Sequence, residues 1–229
     1  MTRRNDNKPS LAGNAVGTDL LRRLEPVSRK FGFDRGQCID RYYIERFLDA
    51  NREAVRGRVL EVAENTYTRR FGGERVTQGD VLHAEAGHRS ATIVADLTKA
   101  DHVPGDAFDC IILTQTLQHI YDVKGAIRTL HRILKPGGVL LCTVPGISQI
   151  SRYDMDRWGD FWRLTTLSTR RLFEEVFPSA NLRIESHGNV LVAVAFLHGL
   201  AVHEVDQAAL NTDDSDYQVL ITIRAEKPR

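Results

Sequence analysis

Apolar residues along this chain alternate between short blocks and longer stretches of helical spacing. RVLEVA (Arg58–Ala63), ATIVADL (Ala91–Leu97), FDCIILT (Phe108–Thr114) and VLLCTVP (Val139–Pro145) are compact blocks that read as strands, with a weaker one at Glu74–Val81. FDCIILT is apolar on both faces, the pattern of a parallel strand covered by helices on each side. The intervening spacing is different. Ile39–Val55 sets Ile39, Tyr43, Phe47 and Ala54 near one face. Val123–Lys135 does the same with Val123, Ile127, Leu130 and Leu134, until Pro136-Gly137-Gly138 stops the helix and turns the chain. Further on, Ser168 is placed to cap a helix in STRRLFEEVF. LRIES predicts a sixth strand, NVLVAVAFLHGLA a buried apolar helix, and YQVLITIRA (Tyr217–Ala225) a last strand. Alternation of this kind predicts an α/β fold with a doubly wound sheet. Residues 1–18 read as a mobile tail and Leu20–Lys30 as a short helix broken at Pro26. Residues 19–229 read as one domain, its N-terminal helices forming a cap.

Composition narrows the class of function. A length of 229 residues suits one α/β domain. With 31 basic against 30 acidic residues the net charge is +1, so the totals predict neither a nucleic-acid partner nor binding to an anionic membrane. No run approaches the ~18 apolar residues of a membrane span, and the N-terminus lacks an apolar signal core. Two of the three cysteines, Cys110 and Cys142, sit inside apolar blocks, and Cys38 is isolated. This argues against a disulfide framework and for a reducing, cytoplasmic location. His198 and His203 are five apart and do not share a helical face, so no metal site is predicted. The oligomeric state is left open.

The segments VLEVAENTY, GDVLH, VADLTKAD, FDCIILTQTLQHIYD and LHRILKPGGVLLCTVPG follow one another in an order with a meaning. In that order the chain resembles the class I S-adenosylmethionine-dependent methyltransferases over residues 39–225, most specifically over Phe108–Pro145. The resemblance implies a Rossmann-like, mostly parallel sheet of seven strands with helices on both faces. YQVLITIRA would supply its antiparallel strand. It also implies S-adenosylmethionine as cofactor, held where ligands lie in such sheets, at the carboxyl ends of the strands. On this reading Glu61 approaches the methionine ammonium and Asp80 accepts from the ribose hydroxyls. Asp96 accepts from the adenine amino group, and the Leu97 N–H meets the adenine ring. Thr114 and Gln115 contact the methionine part. The family's Gly-x-Gly-x-Gly loop is replaced here by Ala63, Asn65 and Tyr67. Ala63 and Asn65 are small losses, since Asn tolerates the left-handed region. The Tyr67 side chain has to leave the pocket or replace part of it.

Two further segments carry candidate chemistry. His119, just past the fourth strand, is the candidate general base that removes a proton from an acceptor hydroxyl or amine, imidazole being the side chain most often used for that work. YDMDRWGDFWRLT (Tyr153–Thr165) resembles a segment of methyltransferases that act among sugar-modifying enzymes. It offers Trp158 and Trp162 for stacking and Arg163 for hydroxyls or charge, with Tyr42 and Tyr43 closing the site from the first helix. The expectation is methyl transfer to an oxygen or nitrogen of a small molecule, a sugar or glycan unit being the acceptor this segment suggests. The alternative is a non-catalytic protein of the same fold that binds a ligand or partner.

Overall fold

The computed structural model describes residue 20 and residues 22–229; the tail expected over 1–18 lies outside them. Seven strands form one sheet: β1 (Gly57–Val62), β2 (Val76–His83), β3 (Ile93–Val94), β4 (Phe108–Thr114), β5 (Leu134–Pro145), β6 (Leu182–His187) and β7 (Leu220–Glu226), in the order β3-β2-β1-β4-β5-β7-β6. β1 to β5 pair in parallel, and β7 runs antiparallel between β5 and β6. This is the Rossmann-like methyltransferase fold.

The centre of the sheet is buried on both faces. In β4, Ile111 and Leu113 join one core with Phe108, Leu130, Phe173 and Phe177. Cys110 and Ile112 join the other with Ile39, Ile44, Leu48 and Phe196. That alternation is why FDCIILT has no polar face. Helix α1 (Ile39–Ala50) buries Ile39, Tyr43, Ile44 and Leu48 against the second core. Helix α2 (Val123–Ile133) covers the first core. The Asp122 side chain caps it, accepting from the Gly125 N–H at 2.9 Å. A Cβ on Gly125 would stand 2.3 Å from the Asp122 carboxylate, so this cap needs glycine there. Short helices α3 (Arg152–Met155), α4 (Thr166–Phe173), α5 (Val190–Leu197) and α6 (Gln207–Leu210) complete the layers.

Several boundaries differ from the sequence reading. Residues 22–30 form turns and bends, not a helix; Pro26 has no N–H to give and restricts the residue before it. β2 runs two residues past Val81, to His83, and β3 keeps only Ile93–Val94 of the expected seven. α2 ends at Ile133, and the Pro136-Gly137-Gly138 turn is taken up inside β5 as a break in register opposite Phe108–Cys110. Thr165, not Ser168, caps α4; Ser168 returns the bond to the Thr165 N–H. α5 is half-buried rather than buried, with Val190, Leu191 and Leu197 exposed. The three cysteines are buried and unpaired.

Candidate active site

A cavity of about 1090 Å³ opens at the carboxyl ends of β1 to β5. That is large for a single-ligand pocket. Its construction begins at Glu61, the last inward residue of β1. After Val62 the chain must leave the sheet, and Ala63 does so with φ +72°. It still donates its N–H to the Leu82 carbonyl at 2.9 Å, so the β1–β2 ladder runs to the turn itself. Ala63 therefore holds the left-handed conformation for which glycine is the ordinary choice, a strain that tends to gather at functional sites. The chain then enters a helical turn whose first N–H groups face back to the strand. Tyr67 N–H and Thr68 N–H donate to the two Glu61 carboxylate oxygens at 3.1 and 2.7 Å. Glu61 is 5% exposed. Burial pushes its carboxyl up from the ordinary value, and the Thr68 N–H draws it back.

Tyr67, which stands where the sequence pattern has a glycine, lines the cavity and is nearly buried. Its hydroxyl accepts from Arg41 Nη1 at 2.9 Å. The side chain has thus become a piece of wall, tying the loop to α1. Asn65 does not line the cavity; its amide oxygen bonds the Arg69 guanidinium instead.

The second strand corrects the sequence reading. Asp80 is in the middle of β2, because the strand continues to His83. It is buried, ion-paired to Arg58 Nε at 2.7 Å, and accepts from Thr92 Oγ1 at 3.0 Å. It is absent from the cavity lining; His83 and Ala84 take that place. The His83 ring stacks on His88 with centroids 4.4 Å apart and meets Trp158 edge-on. The third and fourth strands bring their residues where expected. Asp96, Leu97, Thr114 and Gln115 all line the cavity. Asp96 Oδ1 accepts from Thr98 N–H and Oγ1, both at 2.8 Å, leaving Oδ2 without a partner among the described residues. The Leu97 N–H likewise bonds no carbonyl there. Gln115 has φ +47°, a second strained residue on the rim.

His119 lines the cavity too. Its Nδ1 lies 2.8 Å from the Gly159 carbonyl, which fixes the proton on Nδ1 and the lone pair on Nε2. Gln118 Nε2 donates to Nε2 at 3.2 Å, and Asp154 Oδ2 is 3.9 Å away. The segment after β5 divides. Trp158 lines the cavity. Trp162 does not: it packs on the first core and donates Nε1–H to the Ile120 carbonyl at 3.0 Å. Arg163 touches the cavity, but its fork is spent on Asp160 at 2.5 and 2.8 Å and on the Gln149 carbonyl at 2.6 Å. Burial alone would raise the Asp160 carboxyl, yet Arg163 holds it below its ordinary value. Tyr42 and Tyr43 also turn away. Tyr43 is buried against His187, and the Tyr42 hydroxyl joins Asn211 and Gln207 on another surface. α1 instead sends Asp40, Arg41 and Glu45 to the cavity. The i, i+4 spacing of Arg41 and Glu45 was the available signal.

The model of a methyltransferase domain family matches residues 15–187. The chain belongs to this methyltransferase domain family. A demethylmenaquinone methyltransferase of Listeria monocytogenes serotype 4a is 29% identical over 113 residues, which are 45% of this chain and 44% of that protein. The chain thus matches less than half the length of that relative. Among solved structures, the N-methyltransferase NodS from Bradyrhizobium japonicum WM9, in complex with S-adenosylhomocysteine, superposes with TM-score 0.53 at 14% identity, covering 93% of this chain and 98% of that one. An S-adenosylmethionine-dependent methyltransferase from Archaeoglobus fulgidus gives 0.51 at 12%, covering 82% and 90%. At such identities these two report the fold alone. At one end of the cavity a glycine-like turn at Ala63 stands beside the buried Glu61 carboxylate, and at another Asp96 Oδ2 and the Leu97 N–H have no partner among the described residues. Among the described residues no carboxylate lines the cavity at the end of β2.

Proposed function

We propose that this chain is an S-adenosylmethionine-dependent methyltransferase acting on an oxygen or nitrogen of a small-molecule acceptor. The observation that carries the reading is Ala63. An alanine held at φ +72° after a strand-end carboxylate keeps the backbone path of a glycine loop without the glycines. Strain of that kind persists where the surroundings enforce it. The sugar acceptor keeps only Trp158 of the three contacts expected from this segment, because Trp162 and Arg163 are committed to the chain's own carbonyls and to Asp160.

When bound, the cofactor supplies an electrophilic methyl group. The chain's own part is to position, to exclude water and to take one proton. Asp96 Oδ2 and the Leu97 N–H orient the adenine. Glu61 gives the methionine end a negative neighbour. With the cofactor bound, His119 Nε2 would take the proton of an acceptor hydroxyl or amine, the acceptor displacing the Gln118 amide from Nε2; the cofactor would supply the methyl group, its sulfur–carbon bond breaking and S-adenosylhomocysteine leaving. Asp154, 3.9 Å from Nε2, then faces an imidazolium. One observation favours the non-catalytic reading: Asp80 is locked to Arg58, and among the described residues no carboxylate lines the cavity at the end of β2.

Turnover separates the two. With S-adenosylmethionine and a pool of small phenols, carboxylic acids and amines, S-adenosylhomocysteine should accumulate. His119→Asn should lower kcat by roughly a hundredfold with little change in the KM for S-adenosylmethionine. Binding of S-adenosylhomocysteine without turnover on any acceptor class would establish the non-catalytic protein instead.

A further inference from the structure

Helix α5 carries a surface that the cavity does not use. Val190–Leu197 contains no polar or charged residue, and a helix apolar on every side is ordinarily buried on every side. This one is not. Val192, Ala193, Ala195 and Phe196 face the second core, and of the whole helix only Phe196 lines the cavity. Outward, Val190 and Leu191 are 51% and 54% exposed and Leu197 is 41% exposed, with Val194 half-buried between them. Spacings of one, four and seven residues put these four on one stripe. A lone exposed leucine needs no explanation, but a contiguous apolar patch with a polar rim marks a surface for a partner.

The two ends of the stripe carry opposite charge. Before the first turn, the Asp213 carboxylate accepts from the Gly188 N–H at 2.8 Å, and the Asp214 N–H donates to the Gly188 carbonyl at 2.7 Å. These bonds hold the exposed run Asp213, Asp214 and Asp216 beside the start of the helix. After the last turn, the His198 carbonyl accepts from the Val27 and Ser28 N–H groups at 2.9 and 3.0 Å. Those bonds hold the exposed Arg29 and Lys30 beside its end. Arg29 reaches Glu25 only at 3.9 Å, with both side chains mostly in solvent. Asp214, Asp216 and Lys30 have no ion pair within 4.0 Å among the described residues.

One occupant satisfies the stripe and both ends. In a two-fold pair each copy offers the same patch, so apolar stripe meets apolar stripe. With the two helices antiparallel across the axis, the acidic end of each lies over the basic end of the other. An anionic membrane surface would instead meet three aspartates at one end of the patch. We propose that the outward face of α5 is the contact between two copies of this chain, related by a two-fold axis passing near Val194. The pairing needs no cofactor and stands apart from the methyltransferase reading.

Sedimentation velocity of the full chain tests it, without ligand. The stripe is short, so the pair is weak: monomer should give way to dimer between roughly 1 and 300 µM, with a Kd on the order of 10 µM. Leu191→Glu, a change on the exposed side that leaves circular dichroism unaltered, should raise that Kd at least tenfold. Asp216→Lys and Arg29→Glu should each weaken the pair, and a one-to-one mixture of the two variants should associate more tightly than either alone. A chain that stays monomeric throughout the range, a dimer indifferent to Leu191→Glu, or a mixture no tighter than its components would overturn the proposal. A monomer that floats with phosphatidylglycerol vesicles would overturn it too, and would give the face to a membrane. The titration of the unaltered chain needs no variant, so misfolding cannot mask the result.

Discussion

Two stretches of the cavity wall, Glu61–Tyr67 after β1 and Tyr153–Thr165 after β5, look opposite in sequence and behave opposite to their looks. The first has lost the residues expected to cradle a ligand and yet keeps the shape. Ala63 takes the left-handed turn, and Glu61 gathers two N–H groups at 3.1 and 2.7 Å. The second is dense in Trp, Arg and Asp, the composition of a binding segment, and spends most of it on itself. Trp162 holds the Ile120 carbonyl and Arg163 holds Asp160 and the Gln149 carbonyl. A site is kept by backbone path more than by residue type. A rich motif is available to a ligand only where its donors are unspent.

The largest effect expected from that contrast is at Glu61. Glu61→Ala strips two N–H groups of a buried, charged acceptor, and should cost about 3 kcal/mol of stability in urea unfolding. Glu61→Gln, which keeps one acceptor oxygen, should cost less. Equal losses would mean that packing, not the two bonds, holds the loop.

Arg163→Ala comes next. It leaves Asp160, whose side chain is 1% exposed, without its partner, and should cost about 2–3 kcal/mol. Because the folded carboxyl of Asp160 lies below its ordinary value of 3.8, its stabilising contribution is complete above that pH and is lost as the pH falls further. The gap between the unaltered chain and Arg163→Ala should therefore narrow below pH 3.8. A gap independent of pH would remove the ion pair from the explanation.

Asp80→Ala should cost about 2 kcal/mol, through the loss of Arg58 and Thr92 as partners, while S-adenosylhomocysteine affinity stays within about threefold. A tenfold fall in affinity would return Asp80 to the cofactor site. The smallest effect is a gain. Ala63→Gly relieves the positive φ and should add up to about 1 kcal/mol, whereas Ala63→Val should destabilise. If Gly and Val behaved alike, the turn would not be strained.

Most of the fold was readable because β4 and α2 state their periods plainly, and the antiparallel last strand came with the resemblance to the methyltransferases. The candidate site was most readable where it hangs on a strand end correctly placed. Asp96, Leu97, Thr114 and Gln115 follow β3 and β4 and reach the cavity. Asp80 did not, because two more residues of β2 carry its end to His83, and the polar run from Thr77 to Asp80 concealed that continuation. On α1, apolar bulk drew attention to Tyr42 and Tyr43, whereas a rotation of about 100° per residue gives the cavity to Arg41 and Glu45. The ion pair of Asp160 with Arg163 lies three residues apart, but whether a fork is spent locally or on a ligand depends on where the backbone of Ser148 and Gln149 passes.

The central claim is that a loop without its glycines still forms a cofactor site. Calorimetric titration of the unaltered chain with S-adenosylhomocysteine, set beside NAD as the ligand that other doubly wound sheets bind at their strand ends, addresses it directly. The account predicts saturable one-to-one binding of S-adenosylhomocysteine and no heat from NAD. Binding of NAD alone, or of neither, would contradict it.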